Sequence, residues 1–196
     1  MNFPELVDAV AIKTGRPDQQ DAIRLALREA TLWAHLFDLW RRDVVEIPIN
    51  YDPAVFTGQL LLDTYLPGLR KVCYWRKYDP LTQAVGEYLK QVDPDNLYDQ
   101  FKTKKTNVYY LAGRVVNWFS SSSDAGHIIA YWKLPNIDVD NYTSWIATSN
   151  PFLLINHAAA TIFASIGQQD EARSKMALAQ AQMQELGVNE IESAGR

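Results

Sequence analysis

The sequence predicts an α+β fold: a helical bundle from the N- and C-terminal segments, with a β-rich insertion in the middle. Near both chain ends, long stretches without internal glycine or proline repeat apolar residues at helical spacing. The residues between them are rich in Val, Ile, Tyr and Trp and often alternate apolar with polar side chains, as strands do. Helices and strands that follow one another in blocks are typical of α+β proteins.

The composition of successive segments predicts three parts. Residues 1–43 and 136–187 form the helical bundle, and residues 44–135 form the β-rich insertion. Residues 188–196 are polar and rich in small side chains, and they follow Gly187, a residue type that commonly ends helices. We therefore expect residues 188–196 to be a flexible C-terminal tail.

Four main helices are expected, two at each end of the chain. The first covers Phe3 to Lys13 and ends at Gly15. The second runs from Pro17, which suits a first helical turn, to Trp40. The third begins at Pro151 after Asn150 as its cap, and the fourth covers Gln168 to Leu186.

The second helix carries two apolar stripes, whereas a surface helix of a monomer needs only one. The first stripe consists of Ile23, Ala26, Leu27, Ala30, Trp33, Ala34, Phe37 and Trp40. The second consists of Leu25, Leu32, Leu36 and Leu39. Two interpretations remain open: a central core helix contacted on several sides, or a helix whose second stripe packs against another copy. The second interpretation makes these four leucines the candidate subunit interface.

Strand-forming segments occupy the middle of the chain. They cover residues 44–49, 59–62, 71–78, 107–111, 114–119 and 127–134, and residues 87–92 form either a strand or the lead into a helix. Asp93-Pro94 predicts one helical turn with an acidic N-terminal end. The aromatic residues on these strands have two interpretations: cross-strand stacking within a thin sheet, or contact with a partner.

Composition and charge exclude several classes of protein. The chain has 196 residues, with 19 basic and 23 acidic side chains and a net charge of −4, which argues against a dedicated nucleic-acid binder. Its single cysteine, Cys73, excludes an internal disulfide and a cysteine-based zinc cluster. No secretion signal and no apolar run of about 20 residues is present, so we expect a soluble protein without membrane contact, made in a reducing cytoplasm.

Local motifs give no sign of catalysis. His35, His127 and His157 have no zinc-type spacing, and the chain lacks a phosphate-binding glycine loop and a serine nucleophile elbow. Acidic pairs such as Asp93 and Asp95 lie beside Pro and Asn, which is typical of turns and caps. We therefore expect no enzyme activity, no cofactor and no metal.

A local basic patch accompanies the aromatic strands. It consists of Lys102, Lys104, Lys105 and Arg114. A solvated loop is the simpler interpretation of this patch. The alternative is a surface that lies near a partner or near DNA.

Both helical ends of the chain carry a set of residues with a familiar arrangement. The set comprises Glu5-Leu6-Val7, Thr14 to Asp18, the Ala-rich run Ala26 to Ala34, His35, Asp38, Arg41-Arg42-Asp43, Ser144-Trp145-Ile146, Pro151, Ala158 to Ala160 and Ile166-Gly167. In these segments the chain resembles the head-to-tail adaptor proteins of tailed bacteriophages, also called connector or head completion proteins. The middle segment matches less well.

The resemblance implies a virion structural protein at the head–tail junction, synthesised in the host cytoplasm. Such proteins form a ring, usually dodecameric, below the portal protein. The ring extends the channel through which double-stranded DNA passes, and it offers a platform for tail or nozzle proteins. Their C-terminal segment often contacts the portal, a position matched here by Val188, Asn189, Glu190, Ile191 and Glu192. The alternative function is a carbohydrate-binding or other tail-associated module that uses the aromatic middle.

Overall fold

The computed structural model describes residues 1–50, 58–97, 106–119 and 126–194. The predicted α+β fold class is confirmed: N- and C-terminal helices flank a strand-rich middle. The chain divides into two compact units. The helical unit comprises Met1–Arg42 and Leu134–Arg196, and the strand unit comprises Asp43–Lys133.

The helices and strands have the following bounds in chain order. The helices are α1 (Phe3–Thr14), α2 (Gln20–Phe37), α3 (Leu62–Tyr65), α4 (Trp145–Ser149), α5 (Pro151–Ser165) and α6 (Gln169–Ala194). The strands are β1 (Val44–Asn50), β2 (Gln59–Leu61), β3 (Leu69–Tyr78), β4 (Val85–Tyr88), β5 (Lys90–Gln91), β6 (Val108–Ala112), β7 (Val115–Phe119) and β8 (Gly126–Lys133). None of the described helices combines the length and the apolarity that crossing a membrane requires.

Helix α1 begins with a reciprocal cap. The Asn2 side chain accepts a hydrogen bond from the Glu5 backbone N–H, and the Glu5 carboxylate accepts one from the Asn2 N–H. The helix ends at Gly15, whose φ of 65° is the left-handed conformation that favours glycine.

Helix α2 is shorter than its sequence pattern predicts. The Arg16 guanidinium donates two hydrogen bonds to the Asp18 carboxylate, and residues 16–19 form a turn, so the helix begins at Gln20 and not at Pro17. At its other end, the Trp40 indole N–H donates to the Ala34 carbonyl over 2.9 Å. The Trp40 side chain lies outside α2 and supplies the donor for a carbonyl near the end of the helix. The predicted helix end at Trp40 is therefore wrong.

The central helix of the helical unit is α5. It is buried around almost its whole circumference, whereas the apolar core of α2 is confined to one face. Helices α1, α2 and α6 all pack against α5. The interpretation of α2 as a central core helix is therefore wrong.

The predicted helix end at Gly187 is also wrong, because α6 continues to Ala194. Gly187 does not have a positive φ, and neither proline nor a second glycine follows before the helix ends. A glycine in a helix interior costs about 1 kcal/mol relative to alanine but does not by itself end the helix. Residues 188–194, predicted as part of a flexible tail, therefore continue α6.

The strand unit contains two four-stranded sheets. Their orders are β1-β8-β3-β4 and β2-β7-β6-β5, and the β6–β7 hairpin turns at Gly113. The segment that contains β4 and β5 pairs antiparallel with β3 at one end and parallel with β6 at the other. This segment links the two sheets, and both sheets contribute residues to one apolar core.

That core is aromatic. Trp75, Tyr109, Trp118 and Tyr131 are all buried in it. The Trp75 indole N–H donates to His127 Nδ1 over 2.5 Å, and His127 is 1 % exposed. Burial raises the pKa of Tyr109 to about 12. Cross-strand and cross-sheet packing therefore accounts for these large aromatic side chains.

The course of α6 leads to a stability prediction. A Cβ atom added at Gly187 would meet no atom within 4 Å, so Gly187→Ala should stabilise the helical unit by about 0.5–1 kcal/mol. Denaturant unfolding monitored by helical circular dichroism measures this gain. Gly15→Ala is the matched control, and it should destabilise the unit because Gly15 has a positive φ. A loss of stability in Gly187→Ala would contradict the continuous helix.

Candidate interaction surface

The outer face of α2 exposes large apolar side chains. Leu25 is 56 % exposed and Leu36 is 47 % exposed, and Leu32 lies between them and is half-buried. At about 100° per residue, these three leucines project roughly opposite Ile23, which is fully buried in the core. We call Leu25, Leu32 and Leu36 the leucine stripe. Leu39, the fourth predicted interface residue, lies beyond the end of α2 and is half-buried.

Charged side chains surround the leucine stripe. Asp21 pairs with Arg24 on α2 over 3.3 Å, and Arg28 reaches Asp138 over 3.4 Å. Glu29 lies one turn from both Leu25 and Leu32 and is exposed. An apolar strip bordered by charges is the usual composition of a protein-binding face.

The end of α2 is fixed by contacts with the segment that leads into α4. His35 Nε2 lies 3.0 Å from Ser144 Oγ, and Thr31 Oγ1 lies 2.8 Å from the Tyr142 hydroxyl. The Arg42 guanidinium stands 4.9 Å from the centre of the Trp145 ring. His35, Arg42, Ser144 and Trp145 all belong to the residue set that carries the adaptor resemblance. Within this protein they join the two ends of the chain and orient α2.

The predicted basic patch is only partly within the described residues. Lys102, Lys104 and Lys105 lie outside them. Arg114 lies in the β6–β7 turn and forms an ion pair with Asp63 of α3. This pairing gives Arg114 a contact within the strand unit, while its role toward DNA or a partner stays a prediction.

The segment predicted to contact the portal belongs to α6. Leu186 is buried, whereas Val188 is 55 % exposed and Asn189 is exposed. Glu190, Ile191 and Glu192 lie in the last two turns of the helix. Asn189 also lines a cleft of about 230 Å³ beside the first turn of α5. The segment is therefore presented as a helix, with Val188 available for contact.

The outer surface of the strand unit retains a small aromatic group. Tyr88 is 61 % exposed, the Arg76 guanidinium lies 4.4 Å from its ring centre, and Tyr74 meets its edge. Asp93, one of the acidic residues that the sequence assigns to turns and caps, caps a short 3₁₀ turn by accepting a hydrogen bond from the Asp95 N–H. Asp138 is the partner of Arg28. No group of three or more His, Cys, Asp or Glu within the described ranges could hold a metal ion.

A polar network inside the helical unit was not predicted. Asn156 of α5 is 4 % exposed, accepts a hydrogen bond from the Lys13 ammonium and donates one to Gln182 over 3.0 Å. The signal in the sequence was a lone asparagine within the apolar run Leu153 to Ala160. A buried amide in such a helix needs polar partners, and α1 and α6 supply them.

His157 lies at the contact between α5 and α2. Its ring stacks on Trp33 with centroids 4.4 Å apart, and its Nδ1 is buried without a hydrogen-bond partner among the described residues. Burial lowers the pKa of His157 below its usual value near 6.5. The folded protein therefore favours the neutral ring.

The neutral state of His157 predicts a pH dependence of stability. Because the folded-state pKa lies below the unfolded one, the contribution of the neutral ring is fully present above pH 6.5 and is lost as the pH falls below it. His157→Gln should reduce the loss of stability between pH 7.5 and pH 5, an interval chosen on either side of the usual histidine pKa of about 6.5. Urea unfolding of both proteins across this interval measures the difference. Equal slopes would contradict a role for His157.

Neither a comparison with protein-family models nor one with curated proteins gives a match to this chain. The interpretation of its surfaces therefore depends on their own geometry and on the resemblance carried by the residues at both ends.

Proposed function

We propose that the protein is a head-to-tail adaptor of a tailed bacteriophage. In this proposal, copies of the chain form a ring below the portal protein at the head–tail junction of the virion. The ring extends the DNA channel and provides a platform for tail or nozzle proteins. The chain has a structural role and no catalytic one.

The leucine stripe is the observation that carries this proposal. An ordered helix that places Leu25 and Leu36 in water is costly unless another surface covers them, because burial of apolar area is the main favourable term in association. The His35–Ser144 and Arg42–Trp145 contacts hold this helix in place. A rigid, pre-formed face loses little conformational entropy on assembly.

The extension of α6 beyond Leu186 supports contact with the portal. Gly187 is half-buried, and Val188 and Asn189 are exposed, so the residues that directly follow Leu186 contribute little to the core of the helical unit. A helical segment with Val188 exposed on its surface is suited to docking in a groove of a partner.

The carbohydrate-binding alternative depends on exposed aromatic rings. The rings of Trp75 and Trp118 lie in the core of the strand unit, and the half-buried Trp132 has the Lys71 ammonium 6.0 Å from its ring centre. The exposed Tyr88 is engaged by Arg76 and Tyr74. The observations therefore favour the adaptor.

Replacing two leucines of the stripe tests the adaptor proposal. Leu25→Glu combined with Leu36→Glu should leave helix content and unfolding temperature close to those of the wild type, because both side chains are exposed. The same change should block assembly on the portal and incorporation into virions, since it places charges in an apolar contact. Electron microscopy of portal complexes and virion composition measure the loss.

Leu81→Glu is the matched control, because Leu81 is 93 % exposed in the strand unit and undergoes the same chemical change. It should assemble normally. Normal incorporation of the stripe variant would contradict the proposal, whereas its unfolding would assign the stripe to the core.

Truncation after Gly187 tests portal docking separately. The shortened chain should keep its unfolding temperature within a few degrees of the wild type, since Val188 and Asn189, the first residues removed, are exposed. Its binding to the portal should weaken, as measured by co-sedimentation. Gly187→Ala, which retains residues 188–196, is the matched control. Normal capsid completion by the truncated chain would show that the segment is dispensable.

A further inference from the structure

The sheet with the order β1-β8-β3-β4 has one face in the core of the strand unit and one face outside it. On its strand β8, Tyr131 and Ile129 are buried in the aromatic core. Trp132, Ala130 and Ile128 alternate with them along the strand and therefore lie on the outer face. Residues paired with these three across the sheet share that face.

The strand register places cations and aromatic rings together on this outer face. The row through Trp132 contains Lys71, the row through Ala130 contains Tyr74, and the row through Ile128 contains Arg76 and, on β4, Tyr88. Lys71 and Tyr88 are exposed, so solvent reaches both end rows. We call Lys71, Tyr74, Arg76, Tyr88, Ile128 and Trp132 the cation–aromatic face.

Contacts between cations and rings restrain the side chains of this face. The Arg76 guanidinium lies 4.4 Å from the Tyr88 ring centre, and its Nε donates to a backbone carbonyl of β4 over 3.1 Å. The Lys71 ammonium lies 6.0 Å from the Trp132 ring centre. Tyr74 meets the edge of the Tyr88 ring. Because these side chains are already restrained, less conformational entropy is lost when a partner binds.

Hydrogen-bond donors and positive charge predominate on the cation–aromatic face. Within the described residues, neither Lys71 nor Arg76 forms an ion pair. The buried Trp132 Nε1–H also lacks an acceptor there. The carboxylate that shares these rows, Glu46, belongs to β1, which β8 separates from the strand of both cations. A complementary partner must therefore supply negative charge and hydrogen-bond acceptors.

The composition of the face favours a protein partner over a nucleic acid. The half-buried Ile128 and, in the same row, the exposed Pro48 add apolar area that a phosphate backbone would leave unused. One side of the Tyr88 ring is already occupied by Arg76, which leaves little ring surface for base stacking. Tyrosine, tryptophan and arginine with apolar neighbours are the residues enriched at the centres of protein interfaces.

We propose that the cation–aromatic face binds an extended acidic segment of a partner protein, with one carboxylate against Lys71 and a second against Arg76. The rows of these two cations lie four residues apart along β8, a distance of about 13 Å. Two acidic residues four positions apart in an extended segment have the same spacing and point the same way. The residue midway between them then lies over the row of Tyr74. Only the naming of this partner as a tail or nozzle protein would rest on the proposed function.

Fluorescence anisotropy with the full-length protein and labelled peptides tests this pairing. The probe is Ser-Glu-Thr-Val-Thr-Glu-Ser, which has the required spacing of carboxylates with an apolar residue midway. Its isomer Ser-Glu-Thr-Val-Glu-Thr-Ser has the same charge, but its carboxylates point to opposite sides when it is extended. The probe should bind several-fold more tightly than the isomer, and added salt should weaken its binding.

Two sets of variants locate the binding on the face. Lys71→Gln combined with Arg76→Gln should weaken binding of the probe about tenfold, because both ion pairs are lost. Lys90→Gln combined with Lys133→Gln is the matched control and should bind like the wild type. It removes the same charge from exposed positions, but Lys90 belongs to the other sheet and Lys133 alternates to the other side of β8. Because Arg76 also contacts β4, Lys71→Glu alone, at an exposed position, serves as a second variant and should also weaken binding.

The pattern of affinities decides the outcome. Equal binding of the two peptides, no measurable binding of the probe, or an equal loss in the control variant would overturn the proposal. Tighter binding of a short oligothymidine than of the probe would assign the face to nucleic acid and would overturn it as well. These measurements require neither the portal nor a ring, so their failure leaves the adaptor proposal intact, and failure of ring assembly leaves the peptide result intact.

Discussion

The need to bury α5 on all sides determines the arrangement of the helical unit. Its residues from Leu153 to Ala160 are apolar apart from Asn156 and His157, so no side of this helix can face water at low cost. Three helices are required to cover it, and they come from both ends of the chain. The residues between those ends form the strand unit, which has an aromatic core of its own.

The two polar residues of α5 identify which neighbour covers which face. Asn156 is satisfied by Lys13 and Gln182, so α1 and α6 must lie together on its side. His157 instead stacks on Trp33 of α2. A buried amide with fixed partners opposes sliding of the helices, because any shift would leave it unsatisfied. These polar contacts thus fix the positions of the helices along one another, whereas the burial of apolar side chains stabilises their packing.

Much of this fold could be predicted from sequence. Gly15 is a local signal for a helix end, and it places the end of α1 correctly. Gly187 gave the same signal and was misinterpreted, because composition does not reveal whether a glycine has a positive φ. The central position of α5 was not predicted. A stripe at helical spacing identifies one apolar face, whereas the apolar residues of α5 cover its whole circumference. The partners of Asn156, Lys13 and Gln182, depend on tertiary packing and have no local signal.

Each helix that covers α5 also has an outer face. The residues on that face indicate whether the helix serves only to bury α5 or also to contact a partner. Stability of the unit requires only that α2 bury Ile23 and its neighbours, and it does not require an apolar residue at positions 25 and 36. Their occupation by leucine beside the exposed Glu29 is a cost to a monomer. Assembly of the kind proposed above would cover these residues.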